Sequence, residues 1–349
     1  MTKNGLFLPA RSAMIHASLV AIPESGASLI GAFELLSSVG TAWRQVVERK
    51  NSEPFFEARI VSEHAAPLKC WENWTVQPHA TIENVKRTDV VFIPSLWIGP
   101  QETFADRYAD LKQWIVDRHR DGAIICAACT GAFLLADTGL LDGETATTHW
   151  AYVDSLRQHY PRVRVRGEKV LVEAGADRRL VTSGSHATWY DLLLYAISRL
   201  CGKDAARQTA KFFLLQWHTD GQSPYAAFRE NLEHGDATIR HVQEWLSSHF
   251  SQPNAVEALE KHAGLAPRTL KRRFKQATGL TPVAYVQQLR VDRAKALLEQ
   301  SDLAVEQVGW RVGYEDGAHF RRLFKRLTNL RPGEYRRKFR LSFPGPVDT

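Results

Sequence analysis

The feature that most constrains this chain is a repeat near its carboxyl end. One copy begins at Val256 and reads VEALEKHAGLAPRTLKRRFKQATGLTPVAYVQQLR; the other begins at Val305 and reads VEQVGWRVGYEDGAHFRRLFKRLTNLRPGEYRRKFR. Matching residues lie 49 positions apart up to the paired glycines Gly264 and Gly313. They lie 50 apart after the following turn, where the second copy has one additional residue. A period of this length indicates a duplicated supersecondary unit.

Each copy reads as a short helix, a turn that follows a glycine, and a second helix. The turns are residues 265–267 and 314–317. This order is typical of the helix-turn-helix motif. We therefore predict that residues 236–340 form an all-α domain with two such motifs, joined by a longer helix over residues 282–299. Residues 341–349 are predicted to form a tail.

The second helix of each copy separates apolar from basic side chains. Apolar residues recur at helical spacing, and cations share the opposite face at i, i+3, i+4 and i+7. The residues predicted to contact DNA are Arg268, Lys271, Arg272 and Lys275 in the first copy and Arg321, Arg322 and Lys325 in the second. A single basic helix is usually a solvated face. Two basic helices in matched frames favour nucleic-acid binding instead.

Arginine can read guanine edges, whereas either basic residue can hold phosphates. We expect Arg268, Arg272 and Arg321 to read bases and the remaining cations to meet phosphates. The copies are not equal, because Ala318 stands where the first copy has Arg268 and because residues 315–316 of the second turn are both acidic. The first helix is therefore predicted to supply more of the base recognition, and the second to anchor on the backbone.

The excess of positive charge lies entirely in the carboxyl-terminal part of the chain that contains the repeat. Residues 236–349 contain 20 Lys and Arg against 12 Asp and Glu, a balance of +8, whereas residues 1–235 contain 25 against 26, a balance of −1; these account for the net +7 of the 349-residue chain. This asymmetry predicts a polyanion-binding module joined to a domain with another purpose. No apolar run approaches the roughly 20 residues of a membrane span, and a signal-peptide pattern is absent. A cytoplasmic, nucleoid-associated protein without a membrane partner is expected.

The first 200 residues alternate strand-like and helix-like segments. The strand-like segments are 17–22, 58–61, 89–94, 123–128, 169–172 and 179–182, and the helix-like segments include 27–39, 102–120, 131–136 and 188–200. The uninterrupted apolar runs VVFIP and AIICAA predict strands buried on both faces. We therefore predict a doubly wound, flavodoxin-like α/β domain with a mainly parallel sheet over residues 16–202, after a lead over residues 1–15. Residues 203–235 are predicted to form a helix and linker.

The four cysteines are Cys70, Cys126, Cys129 and Cys201. A disulfide framework is not expected in a large chain of this kind. Cys126 and Cys129 have the spacing of a redox pair or of half a zinc site, but no second cysteine pair follows and Cys126 lies within an apolar strand. We predict that Cys126 is a buried structural residue and that the chain holds no metal and no cofactor.

Cys129 directly follows an apolar strand and precedes a helix. The small residues around it, including Gly131, permit the sharp strand-to-helix turn that exposes a nucleophile above a sheet. The helix dipole would favour its thiolate. Because ligands of doubly wound sheets bind at the carboxyl ends of the strands, this turn is the predicted position of a cleft.

These motifs resemble two known families. The segment around Cys129, with His149 twenty residues further on, is similar to the PfpI-like superfamily, whose members are relatives of class I glutamine amidotransferase domains. The repeat resembles the DNA-binding domain of the AraC/XylS family, including the spacing of Gly313, Phe320 and Pro332. Their order resembles the amidotransferase-like AraC-type transcriptional regulators. The resemblance implies that the two second helices enter successive major-groove segments, about 34 Å apart.

The sequence departs from the catalytic pattern of the PfpI-like hydrolases. These pair the cysteine with a histidine that is often the next residue, but Thr130 follows Cys129 here. The supporting glutamate of the first helix is replaced by Ser28 in our alignment. A nucleophile requires a base and a group that orients this base. We therefore expect no enzymatic activity, although a DNA-tethered cysteine hydrolase or amidase that uses Cys129 and His149 is the alternative.

The cleft is interpreted instead as a degenerate active site that binds a small-molecule effector. The predicted effector-binding residues are Ser28, Cys129, Thr130, His149, Ser185 and His186. Backbone N–H groups at the helix start after Cys129 suit an anionic group, which suggests an amino-acid-like metabolite. Packing or helix capping is the alternative role for each of these residues, and a structural role is favoured for His149.

The expected partners are double-stranded operator DNA, the effector, RNA polymerase and a second copy in a homodimer. A non-regulatory architectural DNA binder is a further alternative. Sequence preference distinguishes it, because only a base-reading residue changes the preference at one base position when it is replaced.

Overall fold

The structure is a computed structural model that describes residues 14–340. The chain divides after Gln222 into two compact units, called unit 1 and unit 2 below. Unit 1 is an α/β domain, whereas unit 2 is helical, which confirms the predicted fold classes. The predicted tail over residues 341–349 and all but the end of the predicted lead lie outside the described residues.

Unit 1 is built around a seven-stranded sheet. The described strands are β1 Ile15–Val20, β2 Phe56–Ser62, β3 Leu68–Lys69, β4 Thr75–Val76, β5 Ala80–Thr81, β6 Val90–Ile93, β7 Ile124–Ala128, β8 Thr145–Ala146, β9 Arg164–Val165, β10 Leu171–Ala174 and β11 Leu180–Ser183. The main sheet has the order β10-β11-β7-β6-β1-β2-β5, and β3 with β4 and β8 with β9 form separate pairs. Only the β10–β11 pair of the main sheet is antiparallel.

Helices cover both faces of this sheet. They are α1 Ser28–Ser38, α2 Ala109–Arg120, α3 Gly131–Asp137, α4 Val153–His159, α5 Trp189–Cys201 and α6 Lys203–Phe212. Successive residues of a strand point to opposite faces. Val91 of β6 accordingly belongs to the apolar cluster of Leu111 in α2, whereas Phe92 belongs to that of Leu29 in α1 and Leu192 in α5. Every residue of β6 and β7 is buried, as the apolar runs predicted.

The segment before α2 corrects the helix predicted over residues 102–120. This helix begins only at Ala109, because Tyr108 has left-handed backbone angles of φ 59° and ψ 42° and cannot continue a right-handed helix. Glu102 instead accepts a hydrogen bond from the backbone N–H of Gly99 at 3.1 Å. The backbone N–H of Phe104 donates to Asp137 at 2.8 Å. The strand predicted over residues 169–172 lies two residues further along the chain in the structure, since β10 spans Leu171–Ala174.

Unit 2 contains two helical subdomains that share one long helix. Its helices are α7 Ala237–His249, α8 Ala255–His262, α9 Pro267–Thr278, α10 Pro282–Gln300, α11 Val305–Arg311, α12 Gly317–Thr328 and α13 Pro332–Phe339. The amino-terminal half of α10 contributes Tyr285 to the core around Phe274, and its carboxyl-terminal half contributes Leu298 to the core around Phe324. The shared helix therefore fixes the separation of the two motifs.

The duplication extends to the packing of aromatic side chains. The rings of Phe274 and Tyr285 meet edge to face with centroids 5.1 Å apart and an angle of 86°. Fifty residues later, Phe324 and Tyr335 form the same contact at 5.4 Å and 84°. Edge-to-face pairs of this kind add to the stabilisation that apolar burial provides. The two motifs are thus structural copies as well as sequence copies.

The first residues of unit 2 pack along α10. Lys295 of this helix donates hydrogen bonds to the carbonyl oxygens of Ala226 at 2.6 Å and Ser223 at 3.2 Å. Phe228 packs edge to face against Tyr285 at 5.0 Å. Burial lowers the pKa of Lys295. These contacts hold the segment that follows Gln222 against α10.

Candidate functional site

The basic face of α9 is exposed to solvent along its whole length. Arg268, Lys271, Arg272 and Lys275 are all exposed and follow one another at helical spacing. Lys271 has an acidic neighbour, since its Nζ lies 3.4 Å from Oε1 of Glu260 in α8. Within residues 14–340, the other three cations have no ion-pair partner. This face can therefore meet a polyanion without first breaking strong internal contacts.

Arg273 of the same helix has a different role. It forms two hydrogen bonds with the carboxylate of Asp236, at 2.9 and 2.6 Å. Asp236 also caps α7 by accepting a hydrogen bond from the backbone N–H of Ile239 at 3.1 Å. The Arg273 guanidinium lowers the pKa of Asp236. Arg273 thus docks α9 on α7, and it lies outside the cation set predicted to contact DNA.

The basic face of α12 is exposed as well but has more acidic neighbours. Arg321 contacts Glu306 of α11, with Nη1 and Oε1 2.6 Å apart. Arg322 lies 3.9 Å from the carboxylate of Asp316, which caps the helix by accepting a hydrogen bond from the backbone N–H of Ala318. Lys325 is exposed. The structure therefore presents all seven predicted DNA-contacting residues on the two second helices.

Two structural features favour glycine at the position that ends the first helix of the second motif. Gly313 has a φ of +91°, which favours glycine. A Cβ atom at this position would also lie 2.3 Å from the carbonyl oxygen of Ser251. The equivalent Gly264 has a φ of +60° but open space around it. The second turn is thus packed more closely against the rest of unit 2.

The second site lies at the carboxyl edge of the sheet in unit 1. There the loops that follow β1, β6 and β7 are joined by side-chain hydrogen bonds. The backbone N–H of Ser95 donates to Oγ of Ser28 at 3.0 Å, and that of Leu96 donates to Oγ1 of Thr130 at 3.0 Å. Thr130 also donates its hydroxyl hydrogen to the Leu96 carbonyl. Three predicted effector-binding residues therefore meet at this edge, since Cys129 precedes Thr130.

Cys129 occupies the strained turn that its sequence neighbours predicted. Its φ is +55°, an uncommon value for a residue other than glycine. Gly131 allows the close approach, because a Cβ atom there would lie 2.5 Å from the Pro94 carbonyl oxygen. The side chain is only 5% exposed. Burial raises the pKa of the Cys129 thiol to about 11, although hydrogen bonds from Thr130 and Ser95 act in the opposite direction.

In this environment the thiol of Cys129 is neutral. At a pH near 7 a group with a pKa of about 11 is almost entirely protonated, and the thiolate is the nucleophilic form of cysteine. Burial also raises the pKa of Cys126, to about 12, and this residue is fully buried in β7. Cys126 is therefore a buried thiol inside a strand, as its apolar surroundings predicted.

The remaining predicted effector residues lie in loops around the same edge. His149 caps a short 3-10 helix, Trp150–Tyr152, by accepting a hydrogen bond from the backbone N–H of Ala151 at 3.0 Å. The preceding Thr148 donates to the Cys129 carbonyl at 2.9 Å. Ser185 precedes another 3-10 helix, His186–Thr188, without capping it through its side chain.

His186 is exposed and lies beside the loop that leads into α1. Its Cε1 atom is 3.4 Å from the position that a Cβ atom on Gly26 would occupy. The loops after β1 and β11 are therefore neighbours at this edge. An imidazole at this point can reach a ligand from solvent, whereas the thiol of Cys129 lies deeper.

Gln222 is a residue of this edge that the sequence analysis did not find. Its side chain is 2% exposed and donates hydrogen bonds to the carbonyl oxygens of Thr148 at 2.8 Å and Lys169 at 2.9 Å. Its own Oε1 accepts from the backbone N–H of Trp150 at 3.1 Å. Because Gln222 lies far along the chain in an irregular segment, no periodic pattern marks it. It holds the His149 loop in place.

Between residues 14 and 340, no helix is both long and apolar enough to cross a membrane. The same part of the chain has no group of three or more His, Cys, Asp or Glu side chains arranged to hold a metal ion.

Comparisons with known proteins match both units. The DJ-1/PfpI family matches residues 46–199, and a helix-turn-helix domain family matches residues 259–338. HTH-type transcriptional regulator CdhR of Pseudomonas aeruginosa is 26% identical over 319 residues, which cover 90% of this chain and 92% of CdhR. HTH-type transcriptional regulator GlxA of Rhizobium meliloti is 29% identical over 222 residues, which cover 63% of this chain and 67% of GlxA.

A third relative matches a shorter part of the chain. HTH-type transcriptional activator RhaS of Salmonella newport is 37% identical over 111 residues, which cover 32% of this chain and 40% of RhaS. The two family matches fall on separate units and agree with the fold of each. The chain therefore combines a region that matches the DJ-1/PfpI family with a region that matches a helix-turn-helix domain family, and it is similar over most of its length to the HTH-type transcriptional regulator CdhR.

Proposed function

We propose that this protein is a transcriptional regulator that binds specific DNA sequences through α9 and α12. The observation that carries the proposal is the pair of exposed cation faces on equivalent helices of a duplicated motif. Recognition helices of this kind enter the major groove, where arginine distinguishes guanine from other bases. The names of the relatives support this function.

The assignment of individual residues belongs to the same proposal. Arg268, Arg272 and Arg321 read bases, and the remaining four predicted cations hold phosphates. The test is a selection of bound sequences from a random DNA pool with the full chain. A defined sequence motif with two parts about one helical turn apart supports the proposal. Retention of the pool without any enrichment contradicts it and favours an architectural DNA binder.

We further propose that a small-molecule effector binds at the carboxyl edge of the unit-1 sheet and changes the affinity of unit 2 for DNA. Ser28, Cys129, Thr130, His149, Ser185 and His186 surround the ligand, and a homodimer and RNA polymerase complete the regulated complex. Ligands of doubly wound sheets bind at this edge. An amino-acid-like molecule suits the combination of backbone N–H groups and small polar side chains.

The effector proposal is tested with the selected DNA site. Amino acids and amines are added singly, and the dissociation constant for the site is measured with each. Coupling between two binding sites typically changes an affinity about 5- to 150-fold. A His186→Ala variant is expected to lose the response while it keeps the affinity for DNA without effector. Ligand binding that leaves DNA affinity, DNA geometry and transcription unchanged contradicts this coupling.

No catalytic role is proposed for Cys129. With a pKa raised to about 11, only about one thiol in a thousand is ionised at pH 8. We expect iodoacetamide to modify the partly exposed Cys201 before Cys129 in the native protein, as followed by peptide mass spectrometry. Fast modification of Cys129, together with a hydrolase or amidase activity that Cys129→Ala abolishes, would support the enzyme alternative instead.

A further inference from the structure

Unit 1 has a second concave surface, formed by α6, the end of α5 and the segment that follows α6. This groove has a volume of about 650 Å³ and is lined by residues that include Ser198, Leu215 and Gln216. Small-molecule sites have volumes of roughly 300–1,000 Å³. Ser198 lies nine residues beyond Trp189, where α5 begins, so the groove is about 14 Å along the helix axis from the cleft end of α5.

One wall of the groove carries a row of cations. Lys203, Arg207 and Lys211 follow each other at four-residue intervals on α6, and all three are exposed. They therefore lie on one side of the helix, over a length of about 12 Å. Arg207 contacts Asp204 at 2.7 Å. The row thus carries three positive charges beside one negative charge.

The groove is also lined by large apolar side chains that are exposed to solvent. Leu214 is 90% exposed and has a φ of +56°. Left-handed angles are unfavourable for a residue with a bulky side chain, and strained residues of this kind are concentrated at functional sites. Trp217, which also lines the groove, is 48% exposed. Cations and solvent-exposed apolar groups therefore share one small surface.

We propose that this groove binds an anionic amphipath, a molecule with a carboxylate or phosphate group on an apolar body. The acidic group binds between Arg207 and Lys211, which lie one turn apart next to the apolar residues, Lys203 adds to the positive potential, and the apolar body covers Leu214 and Trp217. A second copy of the chain is a poor occupant, because a twofold contact brings equivalent surfaces together and would place the same cations against each other. The site lies outside the predicted effector cleft, and its test does not depend on DNA binding.

The test measures binding of decanoate and of decyl phosphate to the full chain by calorimetry, below the concentrations at which they form micelles. We expect one saturable site per chain for both anions and no such site for decyltrimethylammonium or octyl glucoside. Equal binding of the cationic or uncharged compounds overturns the proposal. Binding to phosphatidylglycerol vesicles without binding of either monomeric anion also overturns it and indicates a lipid-surface contact.

Two variants separate the role of charge from that of apolar surface. Arg207→Gln combined with Lys211→Gln is expected to weaken binding of both anions at least tenfold, whereas Lys86→Gln, an exposed cation elsewhere in unit 1, leaves it unchanged. Leu214→Asn keeps a residue type that tolerates a positive φ, so the fold is retained while the apolar contact is lost. Wild-type affinity in either groove variant, with an unchanged circular dichroism spectrum, contradicts the proposed site.

Discussion

The helices α9 and α12 occupy the same place in the two halves of unit 2, yet acidic side chains surround them differently. Lys271 and Arg321 are equivalent, and each contacts a glutamate of the preceding helix. The distance is 3.4 Å to Glu260 in the first motif and 2.6 Å to Glu306 in the second. In both motifs an acidic residue therefore offsets part of the charge of a cation predicted to contact DNA, and this acidic residue is closer in α12.

A second difference concerns the start of each helix. In α12 the cap is Asp316, whose carboxylate also lies 3.9 Å from Arg322. In α9 the corresponding position is Ala266, which provides no side-chain cap, and proline occupies the first turn. The second motif thus uses a negative charge for local stability at the surface predicted to meet DNA. A duplicated motif can keep its core and still change the electrostatic character of its binding face.

The largest effect is expected from the matched variants Arg272→Ala and Arg322→Ala. If Arg272 reads a base, its loss reduces discrimination at one base pair by about 1–3 kcal/mol. If Arg322 meets phosphate, its loss weakens binding to all sequences alike and lowers the slope of log affinity against log salt by about 1. Binding to the selected site and its single-base variants measures both. Identical profiles for the two variants would remove the proposed division of roles.

The next effect tests the cap of α12. Asp316→Ala removes the acceptor for the Ala318 N–H and should lower the midpoint of urea unfolding, since loss of a cap destabilises a helix. Asp316→Asn retains a capping oxygen but removes the charge beside Arg322, and we expect near wild-type stability with tighter DNA binding. Equal stabilities of the alanine and asparagine variants would show that the cap has little weight.

A smaller effect is expected when the glutamates are neutralised. Glu306→Gln should increase the affinity for non-specific DNA more than Glu260→Gln does, because Glu306 is nearer to its cation. Exposed ion pairs contribute up to about 1 kcal/mol, so each change stays within about fivefold. Titration of random-sequence duplex at two salt concentrations measures it. A larger gain for Glu260→Gln contradicts the order inferred from the distances.

The smallest effect is expected from a change to the ion pair that docks α9, for which α12 has an apolar contact instead. Arg273 of α9 pairs with Asp236, whereas the equivalent Leu323 of α12 is buried in the core. The pKa of Asp236 is lowered by this contact, so the stabilisation is present above the ordinary value of 3.8 and is lost as the pH falls through the lowered pKa. The unfolding free energies of wild type and Arg273→Leu should therefore differ less at pH 3 than at pH 6. An equal difference at both values contradicts this assignment.

Sequence reasoning was most successful where periodicity was repeated or unbroken. Both motifs could be predicted because two copies preserve spacing, and β6 and β7 could be predicted because their apolar runs are continuous. It placed the start of α2 seven residues too early, because the left-handed angles of Tyr108 and the contacts of residues 99–104 depend on distant residues such as Asp137.

The residues of the predicted cleft show the same limit of prediction from local sequence patterns. Ser28, Cys129 and Thr130 flank helix starts, so local patterns identified them. Ser95 and Gln222 contribute through the fold alone, because their partners are 67 and 74 residues away in the chain. No local spacing in the sequence connects such residues. A buried hydrogen bond between distant loops requires the three-dimensional structure to be recognised.

The bond between Lys295 and the start of unit 2 determines where an autonomous DNA-binding fragment can begin. A fragment that starts at Asp236, the boundary predicted from the sequence, would lose both carbonyl acceptors of Lys295 and the ring of Phe228 that covers Tyr285. Loss of the Phe228 ring would also expose the buried Tyr285 to water, which destabilises the fragment. The shortest fragment that retains these contacts begins at Ser223, immediately after the buried Gln222 of unit 1. The anchored Gln222 of unit 1 and the anchored Ser223 of unit 2 are therefore consecutive in the chain, and the boundary between separately expressed units falls between them.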